Sequence, residues 1–247
     1  MGRNINKRIG EKFLTNEGYK IEIIDYLNKE NCTIKFDNGL VVSNLIYCNI
    51  KKGQIKNPMH KSICNIGFIG IGKYNRVDYI HIYNCWVNMI KRCYDEKIQI
   101  KRHTYIGCSV HKDWHNYQKF AKWFEKNNPH EYELDKDILF KGNKIYSANN
   151  CCFVPSKLNT LLKNKNRKKG NNIIGVTYHK RDNHFRSQIV IDNKLINSGG
   201  FKTEQEAFNK SKEIKEIYIK KLANKYKDTI TIDCYNALVN LTIDEDY

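Results

Sequence analysis

The hydrophobic period of this chain switches between two and 3.6 residues, and the switches dictate which elements it can form. Over residues 10–58 the apolar positions alternate, as in "YKIEIIDYL" and "CTIKF", and Asp37-Asn38-Gly39 separates two β-branched runs. Alternation puts every second side chain on one face of a strand, and Asp-Asn-Gly between such runs predicts a hairpin. "VVSNLIY" reads as a third strand, followed by Gly53 and the Asn57-Pro58 break. From residue 80 the spacing is helical. Trp86, Met89, Ile90 and Cys93 fall at i, i+3, i+4 and i+7, with Lys91 and Arg92 turned away. A second helix is expected in "SVHKDWHNYQKFAKWFEKNNP", with Trp114, Tyr117, Phe120 or Ala121, and Phe124 on its apolar side and Pro129 closing it. Beyond 172 three short alternating runs precede a helix that opens on a Thr203-x-x-Glu206 capping box and carries Ala207, Ser211, Ile214, Tyr218 and Leu222 along one face. The fold class is α+β.

At 247 residues the chain has room for one large domain or two to three small ones. No stretch approaches the ~20 apolar residues of a membrane span, and "MGRNINKRIGEKF" has no apolar signal region. Gly2 is followed by Asn6 rather than Ser or Thr, so myristoylation is not expected. A soluble, cytoplasmic protein with no membrane partner is the expectation. The nine cysteines include no CxxC, so no zinc is expected and the thiols read as reduced core residues.

The net charge is +17, spread as +6 over 1–75, +7 over 76–165, +8 over 166–228 and −4 over 229–247. Basic surface on every segment but the last favours a polyanion, because each Lys or Arg set on a phosphate releases condensed counterions. The glycine-rich stretch 65–76 reads as a linker. The run "KNKNRKKGNN" reads as a hinge whose Arg167, Lys168 and Lys169 touch phosphate. His111 and His115 are spaced i, i+4, which could hold a metal, but with no Glu between them and no third ligand in view a hydrogen-bonded pair near a helix start is the expectation.

Residues 134–159, "LDKDILFKGNKIYSANNCCFVPSKLN", resemble the ββα-metal motif of HNH endonucleases of the phage type. The resemblance implies that Asp135 and Asn159 are ligands of Mg²⁺ (or Mn²⁺), that Asn150 braces the hairpin, and that Lys136 stands where the motif carries its histidine base. Oxygen ligands suit magnesium, but a lysine with an ordinary pKa near ~10.4 needs a depression of several units to act as a base. Beside Asp135 and Asp137 the shift would run the other way, so Lys136 fits a phosphate clamp. His130 lies six residues earlier, about 20 Å along an extended strand at ~3.3 Å per residue. His103, His111 and His115 would have to approach by folding; Tyr146 and Asp137 are the other proton acceptors in the motif.

Residues 174–226 resemble an AP2-type DNA-binding domain, three strands on one helix. The likeness rests on Gly175-Val176, Phe185, Ile189, Gly199-Gly200-Phe201, Thr203 and Glu206-Ala207. It departs at Ile174, where Arg is common, and at Ser198, where Leu is usual. By parity Val176, Tyr178, Phe185, Ser187, Ile189 and Ile191 face inward, while Thr177, His179, Arg181, Arg186 and Gln188 face DNA, with Lys194 alongside. RNA is less favoured, since the sheet lacks paired exposed aromatics. Residues 10–58 resemble a small SH3-like β-barrel.

The expected organisation is an SH3-like barrel at 1–64, a linker at 65–76, an HNH-like module with flanking helices at 77–165, a basic hinge at 166–172, an AP2-like domain at 173–228 and an acidic tail at 229–247. The expected function is DNA-binding, Mg²⁺-dependent phosphodiester hydrolysis by a phage or mobile-element protein. The alternative is a non-catalytic double-stranded DNA-binding protein, a regulator or anti-defence factor on a degenerate HNH scaffold. A host or defence protein is a further candidate partner, through the barrel.

Overall fold

The computed structural model describes residues 8–128, 130, 132–162, 172–192 and 194–244. In chain order the first elements are β1 (Lys12–Leu14), β2 (Lys20–Asn28), β3 (Asn31–Phe36), β4 (Val41–Leu45), α1 (Tyr47–Lys51), α2 (Ile80–Tyr94) and α3 (Glu96–Lys101). Then come β5 (Ser109–Val110), α4 (Tyr117–Asn127), β6 (Glu133–Asp135), β7 (Ile145–Tyr146), β8 (Cys152–Val154) and α5 (Ser156–Leu162). The last are β9 (Val176–His179), β10 (His184–Ile191), β11 (Lys194–Phe201), α6 (Glu204–Lys225) and α7 (Ile232–Val239). The protein is mixed α+β. It forms two compact units, Met1–Ile98 with Lys112–Ala121, and Gln99–His111 with Lys122–Tyr247.

In the first unit β1 to β4 form an antiparallel meander in sequence order. Alternation buries Ile21, Ile23, Ile34 and Phe36 with Cys32, Ile50 and Ile55. The predicted hairpin joins β3 and β4. Gly39 takes φ 86°, and the Phe36 N–H donates to the Leu40 carbonyl at 2.8 Å. Among the described residues no pairing joins β4 to β1, so the sheet is open where a closed barrel was expected. Trp86, Met89, Ile90 and Cys93 are buried as their spacing predicts, and the Trp86 indole donates to the Trp114 carbonyl at 2.7 Å.

Two expectations in this unit change. The second helix begins at Tyr117, because Lys112–His115 form a 3-10 turn instead; His111 and His115 therefore do not share a helical face. The glycine-rich stretch is seated rather than free. The Phe68 N–H donates to the His115 carbonyl (2.9 Å), and the Gly70 N–H to the Pro58 carbonyl (2.8 Å). Gly70 sits at φ 74°, and a Cβ there would stand 2.4 Å from Asn116 Oδ1, so only glycine permits this approach.

In the second unit β6 and β8 pair antiparallel, with Glu133, Leu134 and Asp135 opposite Val154, Phe153 and Cys152. Helix α5 follows β8 directly. β9 to β11 form a three-stranded antiparallel sheet in the order β11-β10-β9, and α6 opens on the expected Thr203–Glu206 capping box. One core runs through all of it: Cys152, Val154, Leu158 and Leu162 pack with Val176, Ala207, Phe208, Ile219, Leu222 and Ala223. Gly175, at φ 87°, lets the sheet close on α6, since a Cβ there would meet Ser211 Oγ at 2.4 Å. The segment read as an acidic tail holds α7, whose Cys234 and Leu238 join this core together with Ile243. The hinge lies outside the described residues except for Asn172. No helix among the described residues is long and apolar enough to cross a membrane.

Candidate functional site

The loop between β6 and β8 starts from Asp135. Its Oδ1 accepts the N–H groups of Asp137 (2.7 Å) and Ile138 (2.9 Å), which turns the chain sharply after the strand. Burial pushes the Asp135 carboxyl above the usual carboxylate range, while the two amide donors pull it down. Lys136, expected as an exposed phosphate clamp, is only 7 % exposed. Its Nζ donates to Asp137 Oδ1 (2.6 Å) and to the Asn143 carbonyl (2.7 Å), so its charge is spent closing the loop.

Asn143 is the hub, and sequence reasoning missed it. Its Nδ2 donates to the carbonyls of Lys136 and Ile145, both at 2.8 Å. Its Oδ1 accepts the Ile145 N–H (3.1 Å) and Asn150 Nδ2 (3.2 Å). Asn150 thus bonds across the loop between the strands, where the motif would use it as a brace.

Asn159, in α5, is buried, and its Nδ2 donates to Glu133 Oε2. Glu133 was also missed, although it lies two residues from Asp135 on the same face of β6. The oxygens of Asp135 and Glu133 and the carboxamide of Asn159 are hard donors of the kind a divalent magnesium or manganese ion takes, so the residues fit such an ion in kind. An ion would compete with the two amides already on Asp135 Oδ1. Among the described residues no three His, Cys, Asp or Glu side chains form a metal-binding group. As for other bases, Tyr146 is buried, the backbone of His111 is tied to that of Tyr146, its amide N–H donating to the Tyr146 carbonyl at 2.8 Å, and the His130 ring lies 5.3 Å from that of Tyr132. The neighbouring thiols are packing groups: none of the nine cysteines is in a disulfide, and burial pushes Cys151 up to about 12.

The three-stranded sheet spends its polar groups differently. Register sets Thr177 opposite Arg186 and His179 opposite His184. It also sets Gln188 opposite Asn197 and Val190 opposite Leu195. Directly opposed residues share a face, so these eight form one surface, and Ser187 and Ile189 are buried on the other.

Arg186 is pre-set on that surface. Its Nε donates to His184 Nε2 (3.0 Å) and its Nη2 to Asp182 Oδ2 (3.0 Å). His179 Nδ1 lies 2.9 Å from the same Asp182 oxygen, and the two histidine rings stack at 5.9 Å. A guanidinium has five N–H donors; those on Nη1 take no part in these bonds. The Thr177 hydroxyl donates to Gln188 Oε1 (2.8 Å), so this bond engages the Gln188 oxygen and not its amide donors.

Parity needs four amendments. Tyr178, expected inside, is 37 % exposed, because it sits at the turn end of β9 with its hydroxyl on Asn183. Arg181 lies in the β9–β10 turn, exposed beside Lys180, rather than in the outward row. Lys194 pairs with Ile191, on the helix-side parity, and is exposed at the start of β11. The outer face also carries an apolar pair the sequence reading did not assign to it, Val190 at 57 % and Leu195 at 53 % exposure. Arg167, Lys168 and Lys169 lie outside the described residues.

No protein-family model, no curated protein and no solved structure matches this chain.

Proposed function

We propose that the chain is a double-stranded DNA-binding protein that lays the outer face of β9–β11 into the major groove, with the 133–162 hairpin and helix as its support. The observation that carries this reading is the outward row of Arg186, Gln188 and Asn197, with Arg186 held in place by Asp182 and His184. The major groove admits a β-sheet edge or ribbon, Arg matches guanine O6 and N7, and Gln or Asn matches adenine N6 and N7. Val190 and Leu195 suit a thymine methyl. Exposed Lys180, Arg181 and Lys202 at one end of the sheet and Lys194 at the other suit the flanking phosphates. Pre-organisation of Arg186 reduces the ordering cost of binding.

A second reading, a Mg²⁺-dependent nuclease of the HNH type, is favoured by one observation: Glu133, Asp135 and Asn159 supply oxygen donors from β6 and the buried side of α5. Asp135 and Asn159 would hold the ion, which would neutralise a scissile phosphate. What weighs against it is Lys136, whose ammonium is buried and committed to Asp137 and Asn143 rather than set to take a proton from water.

Plasmid nicking with Mg²⁺ or Mn²⁺, read alongside duplex binding, separates the two. The binding reading expects wild type to bind without nicking and Lys136→His to stay inert. Nicking by wild type that Asp135→Ala abolishes, or a gain of the ~10²–10⁴-fold a positioned base contributes in Lys136→His, would establish the nuclease instead.

A further inference from the structure

Three rings from three elements of the first unit meet in a corner: Phe13 of β1, Tyr26 of β2 and Tyr47 of α1. Tyr47 is edge-on to Phe13 at 6.3 Å and 83° and to Tyr26 at 5.8 Å and 88°. The corner holds a cation. The Arg8 guanidinium carbon lies 3.9 Å from the Tyr47 ring centroid and 5.5 Å from that of Tyr26. One carboxylate completes it: the Tyr47 hydroxyl donates to Glu11 Oε2 at 2.8 Å, and burial together with Glu11 holds that phenol above its ordinary pKa and therefore neutral.

We propose that this corner is a recognition site for an arginine side chain of a partner protein, with Arg8 as the chain's own displaceable occupant. The walls are fixed independently of Arg8. The Tyr47 N–H donates to the Lys29 carbonyl at 2.8 Å, and Phe13 and Tyr26 lie in paired strands. Rings held on rigid elements keep their geometry when the cation leaves.

The present occupant fits only half of the site. Its guanidinium stacks closely on Tyr47 but stands 4.0 Å from the Glu11 carboxylate, and its side chain stays 40 % exposed. A guanidinium arriving from outside can take the same stacking position and also meet Glu11 with two N–H donors, a geometry that lysine cannot reproduce. The site thus selects a planar, permanently charged group, and Arg8 competes for it from within the chain.

The test is ligand-observed NMR on the full-length chain with N-acetyl-arginine amide, N-acetyl-lysine amide and the neutral N-acetyl-citrulline amide. Removing the internal competitor in Arg8→Ala should tighten the arginine probe by about three- to thirtyfold, the worth of one partly desolvated cation–π contact. The lysine probe should bind more weakly than the arginine probe, and the citrulline probe should not bind. Arg8→Gln, which keeps the side-chain stem but removes the charge, should show the same gain and guards against a packing defect in Arg8→Ala. Tyr47→Leu added to Arg8→Gln should abolish binding. No gain in either Arg8 variant, or equal binding of arginine and citrulline probes, would overturn the proposal and leave Arg8 as a structural strap.

Discussion

The 136–144 loop and the outer face of β9–β11 lie in the same compact unit, and both carry basic and carboxamide side chains. Their polar groups go to different places. In the loop, Lys136 donates to Asp137 and Asn143, Asn143 donates to two carbonyls, and Asp135 caps two amides. On the sheet, Asp182 and His184 fix Arg186 by one edge and Thr177 fixes Gln188 by its oxygen, and Arg186 Nη1 and Gln188 Nε2 take no part in these bonds. A charge closed on its own loop contributes to folding, whereas a charge steadied by one edge is the arrangement the proposed DNA-binding reading relies on. The residue types alone do not distinguish these two uses.

Removing the hub of the loop should have the largest effect. Asn143→Ala deletes four hydrogen bonds, two of them part-buried, so urea denaturation should show a loss of about 2–4 kcal/mol. DNA affinity of the folded fraction should be that of wild type. A variant as stable as wild type would mean the loop is not closed as described.

Arg186→Ala should do the reverse. Discrimination between a preferred duplex and a random one should fall by about 1–3 kcal/mol, the worth of one bidentate base contact. Stability should change by no more than the ~0.5 kcal/mol usual for surface sites. Equal losses on both duplexes would move Arg186 from base reading to phosphate contact.

The smallest effect concerns Asp135, and its sign follows from burial. The folded carboxyl titrates above its ordinary value of 3.8, so its stabilising share is complete below that value and is lost as the pH rises through the raised one. At pH 7 the wild type therefore carries a partly buried carboxylate at a cost. Asp135→Asn keeps an oxygen for the Asp137 and Ile138 amides and removes that cost. The variant should be the more stable of the two at pH 7, with the advantage shrinking towards pH 4. A difference that does not vary with pH would remove burial as the cause.

Local patterns made several features legible. The Asp37-Asn38-Gly39 turn, the Trp86–Cys93 stripe and the Thr203–Glu206 cap are each set by residues close in sequence, and each forms as read. What stayed hidden depends on distant pairing. Closure of the first sheet needs an edge-to-edge match that alternation does not encode. The burial of Lys136 follows from Asn143, seven residues away, folding back over it. The clamp on Arg186 needs the β9–β10 turn to bring Asp182 underneath. The last helix was obscured by its charge: residues 229–247 carry −4, yet Cys234 and Leu238, four apart, turn one apolar edge into the core.

The central claim is that DNA is met by the sheet and not by the loop. Fluorescence anisotropy on one labelled duplex over a series of salt concentrations, for wild type, Arg186→Ala/Gln188→Ala and Lys136→Ala, tests it most directly. Wild type should show a steep linear fall of log K with log salt. The sheet double variant should bind at least about tenfold more weakly at every salt, the loss of one to two base contacts, and Lys136→Ala should follow the wild-type line. A Lys136→Ala line that drops and flattens while the sheet variant matches wild type would contradict the account and place the DNA on the hairpin.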